Sequence, residues 1–117
     1  MTENVLKDKS YAFAIMIVRT SEELVGKKKE YILSKQLLRS GTAIGALIRE
    51  AEFAQSKADF INKLSIALKE ANETLYWLSL LNDTDYISTE SFTSLSKACK
   101  ELISILVASI KTSKSNQ

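Results

Sequence analysis

The sequence predicts an all-α fold: an antiparallel up-down-up-down four-helix bundle, with residues 1–117 forming a single domain. Three observations lead there. The chain has no proline, so no ring removes a backbone N–H or kinks a long helix. Apolar residues recur at alternating steps of three and four, the period of a helix with one buried face. Three short polar stretches interrupt that rhythm and leave connectors too short for anything but antiparallel neighbours.

The first helix is predicted near 8–25. Phe13, Ile17, Thr20 and Leu24 form its inner side, with Ala14 and Val18 beside them. It stops where Gly26 meets the run Lys27-Lys28-Lys29. The second is predicted near 30–54, with Leu33, Leu37, Gly41, Ile44, Ile48 and Ala51 inward. The third, near 57–81, opens on Ser56 with Asp59 three residues later, a side-chain cap for the first orphan N–H groups. Its stripe is Ile61, Leu64, Leu68, Ala71, Leu75 and Leu78. The string NDTDYIST, rich in turn and cap residues, separates it from the fourth helix, near 89–112, with Phe92, Leu95, Cys99, Leu102, Leu106 and Ile110 inward. The ends, about 1–7 and 113–117, are expected to be flexible. Helices of this length reach roughly 36 Å at about 1.5 Å per residue.

With 45% apolar and 26% charged residues, the chain can bury a core without metal or disulfide support. The lone Cys99 cannot form an internal bridge and lies on the apolar stripe of the fourth helix. It reads as a small core residue rather than a nucleophile. The opening MTENVLKDKS is polar, and the longest apolar run, AFAIMIV, is far too short for a membrane span. A cytoplasmic location without membrane attachment is expected.

Two of the three glycines, Gly41 and Gly45, stand inside the second helix, where each costs about 1 kcal/mol relative to alanine. Gly41 lies on the inward stripe and Gly45 one turn on, within the small-residue string SGTAIGA. Such a waist lets a neighbouring helix approach closely, or receives a bulky group such as Tyr76 or Trp77 from the third helix.

The residues in QLLRSGTAIGALIREAEFAQSKADF and KLSIALKEANETLYWLSLL carry a resemblance. Arg39-Ser40, Thr42, Ile44, Ile48, Glu50-Ala51, Ser56, Asp59-Phe60 and Glu73-Thr74-Leu75-Tyr76-Trp77-Leu78 are similar to the pattern of the 23S rRNA-intervening sequence proteins. Leu47 stands where that family commonly has asparagine. The resemblance covers nearly the whole chain. It implies a four-helix bundle assembled as a ring-like homopentamer. Some members are encoded inside insertions in ribosomal RNA genes. A related branch, the accessory variability protein of diversity-generating retroelements, is a basic pentamer that binds nucleic acid and a reverse transcriptase.

Charge supplies the candidate binding surface. The net charge is only +2, but Lys27, Lys28, Lys29, Lys35 and Arg39 cluster against the single acid Glu30. A basic cluster is the electrostatic footprint of phosphate binding. The helix-four lysines Lys97, Lys100, Lys111 and Lys114 are a second candidate. Asp83, Asp85 and Glu90, on a loop expected at the same end as the lysine run, are candidate neutralising partners.

No catalytic site is expected. Glu50, Glu70 and Glu73 invite comparison with metal-binding carboxylate bundles, but those use Glu-x-x-His pairs and this chain has no histidine. No cofactor and no small-molecule substrate are expected. Arg39, Glu50 and Glu73 read instead as structural ion-pair candidates, with Glu73 as the partner of Arg39 from antiparallel register. Finally, Tyr11, Ile15, Met16, Tyr76, Trp77 and Leu80 lie off the inward stripes. Since a soluble monomer seldom exposes a large apolar patch, they are the candidate oligomer interface. The expected partners are further copies of the chain, then RNA or DNA, or a reverse-transcriptase-like enzyme. The alternative is a structural or adaptor oligomer with no nucleic-acid role.

Overall fold

The computed structural model describes residues 2–116. They form α1 (Thr2–Gly26), α2 (Leu33–Glu52), α3 (Lys57–Asp83) and α4 (Thr89–Ser115), in an elongated bundle of 48 × 21 × 19 Å. Neighbouring backbones run α1 to α2, α2 to α3, α3 to α4 and α4 back to α1, while among the described residues the diagonal pairs α1–α3 and α2–α4 bring no Cα atoms within 8 Å of each other. That closed cycle is the up-down-up-down bundle the apolar spacing predicts.

The helix ends show how the local chemistry works. Ser56 caps α3 by accepting from the Asp59 N–H at 3.0 Å, and the Asp59 carboxylate accepts from the Gln55 N–H at 3.2 Å. Ser88 caps α4, accepting from the Ser91 N–H at 3.0 Å. At α2 the cap comes from further back. Glu30 accepts from the Ser34 N–H at 2.7 Å and the Ile32 N–H at 3.3 Å, while the Ser34 hydroxyl donates to the Glu30 carbonyl. Glu30 therefore sits outside the helix it caps, and α2 begins at Leu33 rather than at 30. Lys29 and Asp85 have φ values of 54° and 65°, so the α1–α2 and α3–α4 connectors each turn through one left-handed residue.

The first helix begins earlier than expected. Thr2 to Lys7 are helical, and Leu6 is buried, because Leu6 lies two turns before Phe13 on the same inward track. At the other end α4 continues to Ser115, so the flexible end expected from 113 is helical for three further residues.

The core holds Phe13, Ile17, Leu24, Leu37, Ile44, Leu64, Leu78, Leu81, Leu102 and Leu106, all buried. The α3 stripe needs correction. Leu68 and Leu75, expected at its centre, are only partly buried, and Ala67 and Thr74 take the interior positions. The inner track runs 64, 67, 71, 74, 78, 81, and Leu68 and Leu75 lie one residue, about 100°, beyond it. Thr74 is accommodated because its hydroxyl donates to the Glu70 carbonyl at 2.8 Å and lies 3.0 Å from the Ser40 hydroxyl across the α2–α3 seam. A buried polar group with partners costs little.

The glycine waist faces α1. A Cβ on Gly41 would lie 2.8 Å from Cγ1 and 2.9 Å from Cγ2 of Ile17. One on Gly45 would lie 3.4 Å from the Ser10 hydroxyl. The filling groups are thus Ile17 and Ser10, not Tyr76 or Trp77, which belong to a helix on the other side of α2. Close approach of α1 to α2 is what these glycines allow.

Candidate nucleic-acid interface and apolar faces

Lys27, Lys28 and Lys29 lie at the α1–α2 turn and Lys35 in the first turn of α2, all exposed. Lys27 pairs with Glu23 one turn back at 3.7 Å, an exposed pair of small energetic weight. Among the described residues Lys28, Lys29 and Lys35 have no carboxylate within 4.0 Å. The α3–α4 turn lies at the same end, as expected. Lys27 and Lys28 face Asp85, Tyr86, Ile87 and the start of α4 across a cleft of about 530 Å³. Asp85 shares this cleft with the lysines, but neither it, Asp83 nor Glu90 forms an ion pair with them among the described residues.

Arg39 departs from the cluster. Its guanidinium Nη2 lies 2.7 Å from Oε2 of Glu73 and 3.6 Å from Oε1 of Glu70 on α3. The Glu70 charge, then the Glu73 hydrogen bond, hold its pKa above the ordinary arginine value. Glu73 is therefore the partner that antiparallel register predicts, and Glu70 is an addition. The signal for it was present, since residues three apart on a helix share a face. Glu50 does not join this group; it pairs with Lys63 at 3.1 Å. The three glutamates thus belong to two separate ion-pair clusters.

Cys99 is fully buried, donates its S–H to the Ala71 carbonyl at 3.3 Å, and has its thiol pushed up to about 12 by burial. A thiol that resists ionisation and cannot reach solvent is a packing group.

The off-stripe apolar residues divide. Tyr11 and Tyr76 are the most exposed of the predicted set, at 59% and 60%, and Ile15 is about half exposed. Met16 and Trp77 are partly buried and pack against the core, and Leu80 is half-buried. Trp77 meets Tyr76 edge to face at 5.0 Å between ring centroids. Tyr11 carries the Arg49 guanidinium over its ring at 5.7 Å. Sequence reasoning missed the exposed Phe53, Ile32 and Leu38; Val18, one of the apolar residues that ring α1, is exposed. Between α1 and α2, Lys7, Ser10, Tyr11, Ala14, Thr42, Gly45, Ala46 and Arg49 line an open groove of about 310 Å³. Ala14, Gly45 and Ala46 leave it unfilled.

Four antiparallel helices, a serine- and leucine-lined core and an exposed basic turn define a small all-α bundle. No described helix is long and apolar enough to cross a membrane. The chain belongs to the 23S rRNA-intervening sequence protein family, whose sequence profile matches residues 2–108. Among solved structures it is similar to a protein of unknown function from the S23 ribosomal protein family of Bacteroides thetaiotaomicron. The two are 58% identical with a TM-score of 0.94, over 95% of this chain and 99% of that one. A search of curated proteins gave no match.

Proposed function

We propose that this protein is a non-enzymatic, self-assembling helical module of the cytoplasm that binds RNA or DNA, or an enzyme acting on them, through its basic turn. The observation that carries the reading is the group Lys28, Lys29 and Lys35, exposed and without carboxylate partners among the described residues. Phosphate contacts by such side chains supply most non-specific nucleic-acid affinity. Assembly multiplies them: a net +2 per chain becomes a ring of repeated basic turns, five of them if the family resemblance holds for copy number. Exposed Tyr11, Ile15 and Tyr76 support the self-association. The buried, un-ionised Cys99 and the ion-paired Glu50, Glu70 and Glu73 support a non-catalytic role.

Retention on RNA and DNA columns as a function of salt tests the reading. Binding should weaken steeply with added salt, and replacing Lys28, Lys29 and Lys35 by glutamine should flatten that dependence. Absence of binding by the unaltered protein at low salt would remove the nucleic-acid role. One observation favours the adaptor alternative: Asp85 lines the same cleft as Lys27 and Lys28 and repels phosphate there.

A further inference from the structure

Ile32 and Phe53, at opposite ends of α2, are the most exposed apolar side chains at 75% and 79%, and Tyr31, next to Ile32, is 58% exposed. Their settings differ. Phe53 follows Glu50 and Glu52 at the end of α2 away from the lysine turn. Tyr31 and Ile32 stand between Lys29 and Lys35, among the lysines that have no carboxylate within 4.0 Å in the described residues. Tyr31 is also unlike the other exposed tyrosines. Tyr11 carries Arg49 over its ring and Tyr76 meets Trp77 edge to face, whereas among the described residues no ring or cation engages Tyr31.

The backbone on both sides holds this tyrosine in place. Before it, the Glu30 N–H donates to the Leu24 carbonyl at 2.9 Å, closing the end of α1 through left-handed Lys29. After it, the Ile32 and Ser34 N–H groups donate to the Glu30 carboxylate at 3.3 and 2.7 Å. Glu30, the one acid in this segment, is thereby turned to the start of α2 rather than to the lysines. The result is a fixed turn that sets one planar, uncovered ring among cations.

We propose that Tyr31 is a stacking platform for a base of single-stranded RNA or DNA, with Lys28, Lys29 and Lys35 taking the phosphates around it. This rests on the nucleic-acid reading above and names the form of nucleic acid. Aromatic side chains stack on bases of any sequence, but only where a base face is free. A duplex keeps those faces inside its own stack and offers grooves, which are read by a helix or a two-stranded ribbon laid into them. The lysine end of this bundle presents only helix termini and turns, on a cross-section of 21 × 19 Å. A single strand bends over so small an end and brings its bases to the ring. Charge alone predicts the reverse preference, since a duplex packs its phosphates more densely than a single strand.

Fluorescence anisotropy with labelled oligonucleotides of one sequence, as single-stranded RNA, single-stranded DNA and duplex DNA, separates the two at low salt in the unaltered protein. Both single strands should bind more tightly than the duplex, and the tighter of them identifies the preferred sugar. Tyr31→Ala should weaken single-strand binding by roughly fivefold to a hundredfold, the range for one stacked base. Its salt dependence should stay unchanged, because no phosphate contact is lost. Tyr31→Phe keeps the ring face and should bind as the unaltered protein does. Tyr31 lies outside the helices, so circular dichroism should be the same for both variants. Absence of binding to all three oligonucleotides would remove the nucleic-acid reading and the platform with it. A duplex bound as tightly as the single strands, or undiminished single-strand binding by Tyr31→Ala, would overturn the platform and leave a purely electrostatic interface standing.

Discussion

The two glycines of α2 make opposite predictions for the same substitution. In Gly41→Ala the new methyl lies 2.8 and 2.9 Å from two carbons of Ile17, well inside van der Waals contact. Ile17 is branched at Cβ and completely buried, so its side chain has one favoured rotamer and nowhere to turn. Overpacking of this kind costs about 1–3 kcal/mol. The gain in helix propensity over glycine is about 1 kcal/mol, so the net result should be between neutral and about 2 kcal/mol destabilising. In Gly45→Ala the nearest atom is 3.4 Å away, an ordinary contact, and the propensity gain should survive as about 0.5–1 kcal/mol of added stability. Urea unfolding followed by circular dichroism, at matched chain concentration because assembly shifts apparent stability, measures both. A double-mutant cycle isolates the cause. In an Ile17→Ala background, itself destabilised by about 2–5 kcal/mol, Gly41→Ala should become neutral or stabilising, a positive coupling between the two sites. Gly41→Ala as stable as Gly45→Ala, or unchanged by removal of Ile17, would refute close helix approach as the reason for glycine at 41.

Other expectations follow from burial and charge. Leu106→Ala and Leu102→Ala, at completely enclosed positions, should each cost about 2–5 kcal/mol in urea unfolding, and Leu68→Ala at its half-buried flank less than either. Cys99 should resist thiol-modifying reagents in the folded protein and react on denaturation. Its thiol is raised from 9.0 to about 12, so the unfolded chain loses that proton first as pH rises. The stability linked to it is complete below about pH 9 and declines as pH approaches 12; Cys99→Ala should lack that component of the alkaline slope. The salt dependence of nucleic-acid retention should drop in the Lys28, Lys29 and Lys35 triple glutamine variant and hold in a variant of Arg39, whose guanidinium is engaged by Glu73 and Glu70.

Much of this fold was legible because a helix repeats its environment every three to four residues. The tracks of α2 and α4 follow their apolar spacing closely, since Leu37, Gly41, Ile44, Ile48 and Ala51, and Leu95, Cys99, Leu102 and Leu106, are all buried. Sequence spacing misled in α3 for a definable reason. Leu68 and Leu75 are larger and more apolar than Ala67 and Thr74, so hydrophobicity places the leucines inside. Where α2 and α4 each close on α3, at Thr74 against Ser40 and at Ala71 against Cys99, the small residues fit at the centre and the leucines pack on the flank. Composition cannot report that choice, because it depends on the distance between helices. The α2 start was misplaced for a similar reason: Glu30 is a fair helix former, but here its carboxylate serves as the cap of the helix that follows.

The surface was legible as an inventory but not as an arrangement. Tyr11, Ile15, Tyr76, Trp77 and Leu80 are identifiable as surplus apolar residues from spacing alone, yet spacing fixes only angles around each helix axis. Whether two such sets form one patch depends on which helices are neighbours. Had α1 and α3 been adjacent, Tyr11 and Tyr76 would belong to a single face, and a two-fold dimer would cover it. The contact cycle α1–α2–α3–α4 instead makes α1 and α3 diagonal, and this one topological fact converts the same residues into two patches. Their chemistry differs as well, since Arg49 lies over the Tyr11 ring at the first, and Trp77 braces Tyr76 at the second. The lysine turn lies at the end of the bundle, beside the α3–α4 turn, and its lysines are exposed. If the chain self-assembles as proposed, each added copy brings a further basic turn, so a variant that stays monomeric should lose avidity for RNA or DNA while each chain keeps its own lysines.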